Sequence, residues 1–489
     1  MNMPRFYIEN FGCRATQADG AALERQFLDR GLERAPVARD AEIVVLNTCT
    51  VTAGADKDAR ASIRRLQRVN PNCRILVTGC YAQRAPEELA ALPGVSWVVG
   101  NSHKHLAAEI ATGSSAGSFV PIDQLSRKAV EPEVVVGDIF AHTELMAAPV
   151  FEAANERTRP NLKVQDGCDN RCSFCVIPFV RGQSRSLPLP RVLAEVRTLV
   201  EAGYREVVIS GINLGRWGRD LESSPQTSVA GSRLPHSELS HSPSNQNFVL
   251  EDLVRAILAQ TTIEKLRVSS VEPMDWSDEL IELVASSPRI AKHAHVPMQS
   301  GSDAVLRRMH RKYRPWHYQE KILKIRRAMP QAAIGADVMV GFPGESEAEF
   351  AETRQMVEEL PFTYLHVFTY SPRPGTAAAA QQEQVPVARA RERNEVLREI
   401  ASIKKAAFLR SLVGTELDAI TLQTGAGADF TEALTDNYLK ARIAGCWEAN
   451  RWIRMRVAGR EGDMALLEPS ATPSLKYRPA RGANVGRRR

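Results

Sequence analysis

The sequence predicts an α/β protein in three parts: an N-terminal parallel sheet with covering helices, a central incomplete (β/α)6 barrel and a small C-terminal β-barrel. Three observations carry that expectation. Strand-like and helix-like stretches alternate over 5–112, which implies parallel strands joined by helical crossovers. Six such units recur over about 220 residues in the middle of the chain, too few to close an eight-fold barrel. Beyond 412 the apolar residues fall in short runs with no helical pattern between them, as in a small all-β unit.

In chain order, strands are expected at 6–9, 42–46 and 74–78, each followed by a helix, at 19–30, 53–69 and 86–91. Residues 1–112 form the first domain. A linker over 113–154 begins rich in Gly and Ser (Gly113, Ser114, Ser115, Gly117, Ser118). The central domain, 155–400, has strands near 162–165, 206–210, 265–270, 293–296, 334–340 and 365–370, with helices such as 189–202 and 345–360 between them. Residues 221–247 interrupt it with Ser, Pro, His and Asn and almost no apolar periodicity, which predicts a disordered surface insertion. A helix over 387–412 leads to strands at 416–422, 431–442, 451–457 and 465–468 in a domain of 408–470, then a basic tail, 471–489.

Of 489 residues, 44% are hydrophobic and 25% charged, a globular composition that excludes global disorder. No apolar run approaches the 18 or so residues that cross a bilayer, and residues 1–9 contain no apolar signal core. The expectation is a cytoplasmic protein with no membrane partner. The net charge of +6 equals the excess in 404–489, where 15 Lys and Arg face 9 Asp and Glu. A basic end on a neutral body suits a polyanion such as nucleic acid; the plainer alternative is a solvated surface with a basic tail.

Eight cysteines without a secretory signal argue for metal binding or catalysis rather than disulfides. Cys168, Cys172 and Cys175 follow the first strand of the central domain, in DGCDNRCSFCVIP. Thiolates hold iron–sulfur cubanes, ordinarily four at a time, so three leave one iron open to a ligand. A zinc site completed by a distant His is the alternative. Cys13, Cys49 and Cys80 each follow a strand of the first sheet. Parallel strands end at one edge, so the three thiols can converge there on a second cluster; three small buried cysteines are the plainer reading. Cys73 precedes its strand and belongs to the opposite edge.

The first of these triads, with Phe174 before its last cysteine, resembles the radical S-adenosylmethionine superfamily. That resemblance implies that the amino and carboxylate groups of S-adenosylmethionine bind the open iron, and that reductive cleavage yields a 5′-deoxyadenosyl radical able to attack an inert C–H bond. With NTCTVT (47–52) and Gly79-Cys80 beside it, the chain resembles the methylthiotransferase family from about Arg5 to Glu468. The family implies two [4Fe–4S] clusters, an auxiliary one on Cys13, Cys49 and Cys80 and a radical one on Cys168, Cys172 and Cys175.

Substrate follows from smaller pieces. NTCTVTAGADKDAR, SGINLG (210–215) and SSVEPMDW (269–276) resemble the branch acting on N6-threonylcarbamoyladenosine beside the tRNA anticodon. The isopentenyladenosine branch usually has Ser-Ile-Arg where this chain has Thr50, Val51 and Thr52, and the branch acting on a ribosomal protein aspartate usually has Gly-Phe there. Around Cys13 the family commonly reads GCKVNQ, and this chain reads GCRATQ. A non-catalytic iron–sulfur protein that binds RNA is the alternative from another class.

The resemblance also implies S-adenosylmethionine near Gly211, Asn213, Gln299, Asp337, Gly341 and Gly344, which occupy strand ends. The C-terminal barrel resembles the RNA-binding TRAM module, with Arg442, Arg451, Arg454 and Arg456 placed for phosphates and Tyr438 or Trp452 for stacking a base. The implied partners are tRNA and an electron donor of flavodoxin or ferredoxin type. The residues point to no particular sulfur donor.

Overall fold

The computed structural model describes residues 3–113, 132–142, 145, 158–221, 248–425 and 427–470. Most of 113–154, the insertion beyond Leu221 and the tail 471–489 lie outside them.

The first sheet is wholly parallel, with strands in the order Glu33–Arg34, Arg5–Asn10, Ile43–Thr48, Arg74–Gly79, Val95–Gly100 and Glu133–Val135. Alternation along Ile43–Thr48 feeds two cores. Val44 and Leu46 pack with Ile63 and Leu66 of helix Ala53–Val69. Ile43 and Val45 pack on the other face with Leu23 and Phe27 of helix Arg14–Asp29. Each such fully buried side chain contributes about 1.5–3 kcal/mol. Three strands were missing from the sequence reading, and one corrects it. Glu133–Val135 comes from the expected linker yet pairs with Trp97 to Val99, because the run Val134, Val135, Val136 suits an extended edge.

The central domain has its six parallel strands in chain order. Asn161–Lys163, Glu206–Ser210 and Lys265–Val268 form one ladder, and His293–His295, Ala333–Val340 and Tyr364–Thr369 the other. Single bridges, Leu266 to Ile290 and Ser270 to His295, join them into one curved, open wall. One continuous apolar core runs beneath it. Helix starts follow local chemistry: Ser346 accepts from the Glu349 amide while the Glu349 carboxylate accepts from the Ser346 amide, a reciprocal cap on Glu347–Glu359.

The C-terminal strands close a five-stranded barrel in the order Glu416–Thr421, Phe430–Thr435, Lys440–Ala444, Met464–Pro469, Trp452–Glu461. The expected single strand 431–442 is two. Thr435 Oγ1 bonds Asn437 Oδ1 at 2.6 Å and accepts from the Leu439 amide at 2.8 Å, which tightens Asp436 to Tyr438 into a hairpin turn. That turn docks on the central wall. Fully buried Arg267 donates to the carbonyls of Asp436 and Thr435, at 3.0 and 3.4 Å, and to Glu206 at 2.6 Å.

Candidate active site

Each N-terminal cysteine of interest stands just past a strand end. Cys13 caps helix Arg14–Asp29, Cys49 follows Ile43–Thr48, and Cys80 opens helix Cys80–Arg84. Gly12 and Gly79, one before each of two cysteines, have φ of 101° and 102°. A side chain on Gly12 would meet Cys49 Sγ at 2.9 Å, and one on Gly79 the Thr48 carbonyl at 2.3 Å, so glycine alone lets these loops close on Cys49. Burial, then the neighbouring Cys80 and, more weakly, Cys13, push the Cys49 thiol up to about 12. The three sulfurs therefore feel one another. Asn101 Nδ2 donates to Cys80 Sγ at 3.5 Å. Cys73 lies in the sheet's core, away from these loops, and Cys446 is exposed on the C-terminal barrel.

The second triad occupies the loop between Gln165–Asp166 and helix Ile177–Arg181. Burial, then Cys172 and Cys168, raise the Cys175 thiol to about 12. Burial also raises Cys168, although the Asn170 amide points at its sulfur from 3.4 Å and Asn213 Nδ2 from 3.7 Å. Arg311 donates to Cys172 Sγ at 3.3 Å and pairs closely with Glu272. Neutral thiols raised in this way ionise readily only when a cation meets them.

The two triads face each other. Cys80 packs against Val176 and Val180, directly after Cys175. A cavity of about 380 Å³ has both Cys13 and Cys175 on its wall, together with Asn213, Glu272, Gln299 and Asp337. Asn213 Oδ1 and Gln299 Oε1 are buried there without hydrogen-bond partners among the described residues. Gln299 also holds φ of 62°, uncommon outside glycine and often a mark of functional constraint. Sulfur donors grouped in threes beside unsatisfied amide oxygens fit an iron–sulfur cluster with a polar ligand over it.

Three sequence expectations need correction here. Gly211, Gly341 and Gly344 do not border the cavity: the space a side chain would take is filled by Gln165 at 2.7 Å, Ala390 at 2.6 Å and Glu383 at 3.2 Å respectively. Their small size serves packing within the chain. The Asp337 carboxylate faces His295 and His366, each at 3.4 Å.

The expected RNA contacts are also altered. Arg442, Arg451 and Arg454 pair with Glu461, Glu448 and Glu416, at 2.9, 2.7 and 3.2 Å, and Arg456 approaches Glu468 at 3.8 Å. Tyr438 is wedged between domains: its hydroxyl accepts from Arg14 at 3.0 Å and its ring lies 4.6 Å from that of His293. Lys265 sits over the Trp452 ring at 4.9 Å. Each ring thus already has a ring or a cation of this chain against it. Within 404–470 cations and acids are equal, nine each, so the whole formal excess of six belongs to 471–489.

Sequence reasoning missed the residues that clamp the two cysteine regions together. Asp19 is enclosed by Lys104, Lys163 and Arg181, and Asp166 by Lys163 and Arg181, all deeply buried. Burial pushes the Asp19 carboxyl up, and the three cations outweigh it and hold the group well below the usual carboxylate range. Past the last central strand, Arg373 donates to Thr50 at 2.8 Å and pairs closely with Asp56, pinning the loop beyond Cys49. Only Lys163, set between Leu162 and Val164, carried a signal in the sequence, a charge inside an apolar strand.

A sheet-edge cysteine triad facing a three-cysteine loop on an open parallel barrel defines an enzyme of the radical S-adenosylmethionine class. Residues 162–357 match the Radical SAM superfamily, and residues 5–100 match the uncharacterized protein family UPF0004. A threonylcarbamoyladenosine tRNA methylthiotransferase MtaB of Aquifex aeolicus (strain VF5) is 34% identical over 452 residues, covering 92% of this chain and 99% of that one. Its namesake from Bacillus subtilis (strain 168) is 37% identical over 385 residues, covering 77% and 76%. A tRNA-2-methylthio-N(6)-dimethylallyladenosine synthase of Trichlorobacter lovleyi (strain ATCC BAA-1151 / DSM 17278 / SZ) is 34% identical, covering 79% and 80%. The radical S-adenosylmethionine methyltransferase TsrM of Kitasatospora setae shares the fold, with a TM-score of 0.51, 14% identity and coverage of 78% and 77%. The chain belongs to the methylthiotransferase family of radical S-adenosylmethionine enzymes. Its cofactors are two [4Fe–4S] clusters and S-adenosylmethionine. Among the described residues no helix is long and apolar enough to cross a membrane.

Proposed function

We propose that this enzyme methylthiolates C2 of N6-threonylcarbamoyladenosine at position 37, next to the anticodon of tRNA. The observation that carries the reading is the single cavity with Cys13 and Cys175 on its wall, since sulfur insertion needs a sulfur source and a hydrogen-abstracting radical within reach of one carbon. In this reading Cys13, Cys49 and Cys80 hold the auxiliary cluster and Cys168, Cys172 and Cys175 the radical cluster. When bound, the clusters and S-adenosylmethionine supply the methylated sulfur and the 5′-deoxyadenosyl radical. The chain's own residues position and insulate that chemistry. Arg311, backed by Glu272, and Asn213 direct N–H groups at thiolates of the radical site. The unpartnered oxygens of Asn213 and Gln299 accept from a polar ligand in the cavity. Phe174, edge-on to Phe342, lines the same cavity beside Cys175. An external donor of flavodoxin or ferredoxin type provides electrons, and the basic tail with the TRAM-like barrel holds the tRNA.

Support for the threonylcarbamoyl arm comes from Thr50, Val51 and Thr52 and from the names of the Aquifex and Bacillus relatives. The test is anaerobic turnover of cluster-loaded enzyme on threonylcarbamoyladenosine tRNA, isopentenyladenosine tRNA and the ribosomal protein, with mass spectrometry of the products. The 2-methylthio nucleoside should appear with the first alone. Activity confined to isopentenyladenosine tRNA or to the protein would overturn the substrate. Absence of reductant-dependent 5′-deoxyadenosine would favour a non-catalytic RNA-binding protein.

A further inference from the structure

Three adjacent strands of the central wall bring two imidazoles and a carboxylate together at the edge of the cavity. His295 ends one strand, Asp337 lies in the next, and His366 stands directly opposite Asp337 in the third. Their ligand atoms all lie within 4.8 Å of one another. His295 Nε2 and His366 Nδ1 are each 3.4 Å from the same oxygen, Asp337 Oδ1. Two ligands about 2 Å from one ion, at a tetrahedral angle, stand roughly 3.4 Å apart. The surroundings orient this set. Ser270 Oγ bonds His295 Nδ1 at 2.9 Å, and the Tyr364 ring stacks on the imidazole at 5.9 Å. That leaves Nε2 turned toward Asp337, buried and without hydrogen-bond geometry to any described group. A ligating histidine characteristically has its other nitrogen held in this way. The Tyr364 ring fills the space beside Gly335, where any side chain would displace it, and exposed His366 leaves a route from solvent.

We propose that His295, Asp337 and His366 bind one divalent first-row cation, and that this ion takes the carboxylate of the substrate's threonyl arm; the second clause rests on the substrate reading above. Two imidazoles and one carboxylate on one side of an ion leave its remaining positions free for oxygen ligands. Asp337 lines the cavity, so those positions open toward the space where the base must lie. Alone, an ionised Asp337 repels a carboxylate; a dication beside it inverts the local field. An isopentenyl arm has no anionic oxygen and gains nothing from the ion. The site thus separates the two tRNA substrates by charge.

The test uses full-length, cluster-loaded enzyme with both clusters oxidised and therefore silent in EPR, titrated anaerobically with manganese(II) while the free-ion signal is followed. One manganese per chain should bind, and zinc should displace it. His366→Ala should weaken binding at least about tenfold with iron content unchanged, and Asp337→Asn should do the same. Stripping the ion should raise KM for threonylcarbamoyladenosine tRNA about tenfold, the worth of one charge-assisted contact, and leave 5′-deoxyadenosine release intact. Wild type that takes up neither manganese nor zinc, or His366→Ala that binds as wild type, would overturn the site. Binding with no change of KM on stripping would overturn the carboxylate clause. Ion-loaded enzyme that releases 5′-deoxyadenosine yet ignores threonylcarbamoyladenosine tRNA would instead defeat the substrate reading, and the manganese titration would still decide the ion.

Discussion

Each triad of cysteines is carried by its own loops, even where Cys80 touches Val176. Replacing Cys168, Cys172 and Cys175 together by Ala should leave about four of about eight irons in reconstituted protein. Cys73→Ala and Cys446→Ala should leave the iron content unchanged. Total loss of iron in the triple variant would show that the sites depend on each other. A finer effect is expected at Arg311. Its N–H points at Cys172 Sγ and stabilises the more negative, reduced cluster, so Arg311→Met should lower the radical cluster's potential by up to about 100 mV in an EPR-monitored titration. The six cysteines were legible because strand ends and spacing place sulfur without help from distant residues. Arg311, Glu272 and Arg373 were not, because each matters through a partner far away in sequence. The glycines misled for a related reason: absence of a side chain looks the same whether a ligand or Ala390 fills the space.

Strands and helices followed alternation and caps where the periodic stretch was long, as in Ile43–Thr48 and Ala53–Val69. Two were lost where it was short, whereas Val95–Gly100, as long as Ile43–Thr48, was missed despite its apolar run. Glu33–Arg34 offers two polar residues, and Glu133–Val135 follows a Ser/Gly-rich run that reads as linker. The hairpin at Asp436 to Tyr438 was missed between Ala433-Leu434 and Leu439, although Asp and Asn in succession are turn formers. The insertion leaves and rejoins the barrel at one place: the Trp217 ring meets that of Phe248 edge-on at 6.4 Å, and Gly218 abuts the Phe248 carbonyl. Deleting 223–244 should therefore leave iron content and the urea midpoint unchanged. An insoluble product would assign those residues a structural role.

Across the molecule, buried charge does what apolar contact does elsewhere. Asp19→Asn leaves Lys104, Lys163 and Arg181 facing one carboxylate, and should destabilise the cluster-free chain by about 3–5 kcal/mol in urea unfolding at pH 7. Because the folded carboxyl lies below its unfolded value near 4, its contribution is complete above that pH and fades as pH falls further. The gap between wild type and Asp19→Asn should be constant from pH 5 to 7 and narrow below pH 4. A gap that widens in acid would contradict the assignment. Binding of tRNA should depend on the tail more than on the barrel's paired arginines. Deleting 471–489 removes six cations and should flatten the slope of log affinity against log salt by up to about 5, whereas replacing Arg442, Arg451, Arg454 and Arg456 by Gln should flatten it less. Truncation after Ala407 is a poorer probe, since it strips Arg267 of the carbonyls of Thr435 and Asp436.

The clasp of Arg373 on Thr50 and Asp56 joins positions more than three hundred residues apart. Domains fold on the ribosome from the N-terminus as they emerge. The first sheet can therefore assemble early in synthesis, with Arg84 of the same domain already holding Thr50 and Asp56 at 2.9 and 3.1 Å and Arg373 joining them last. The barrel thus adds a second arginine to a loop that the first domain has already shaped.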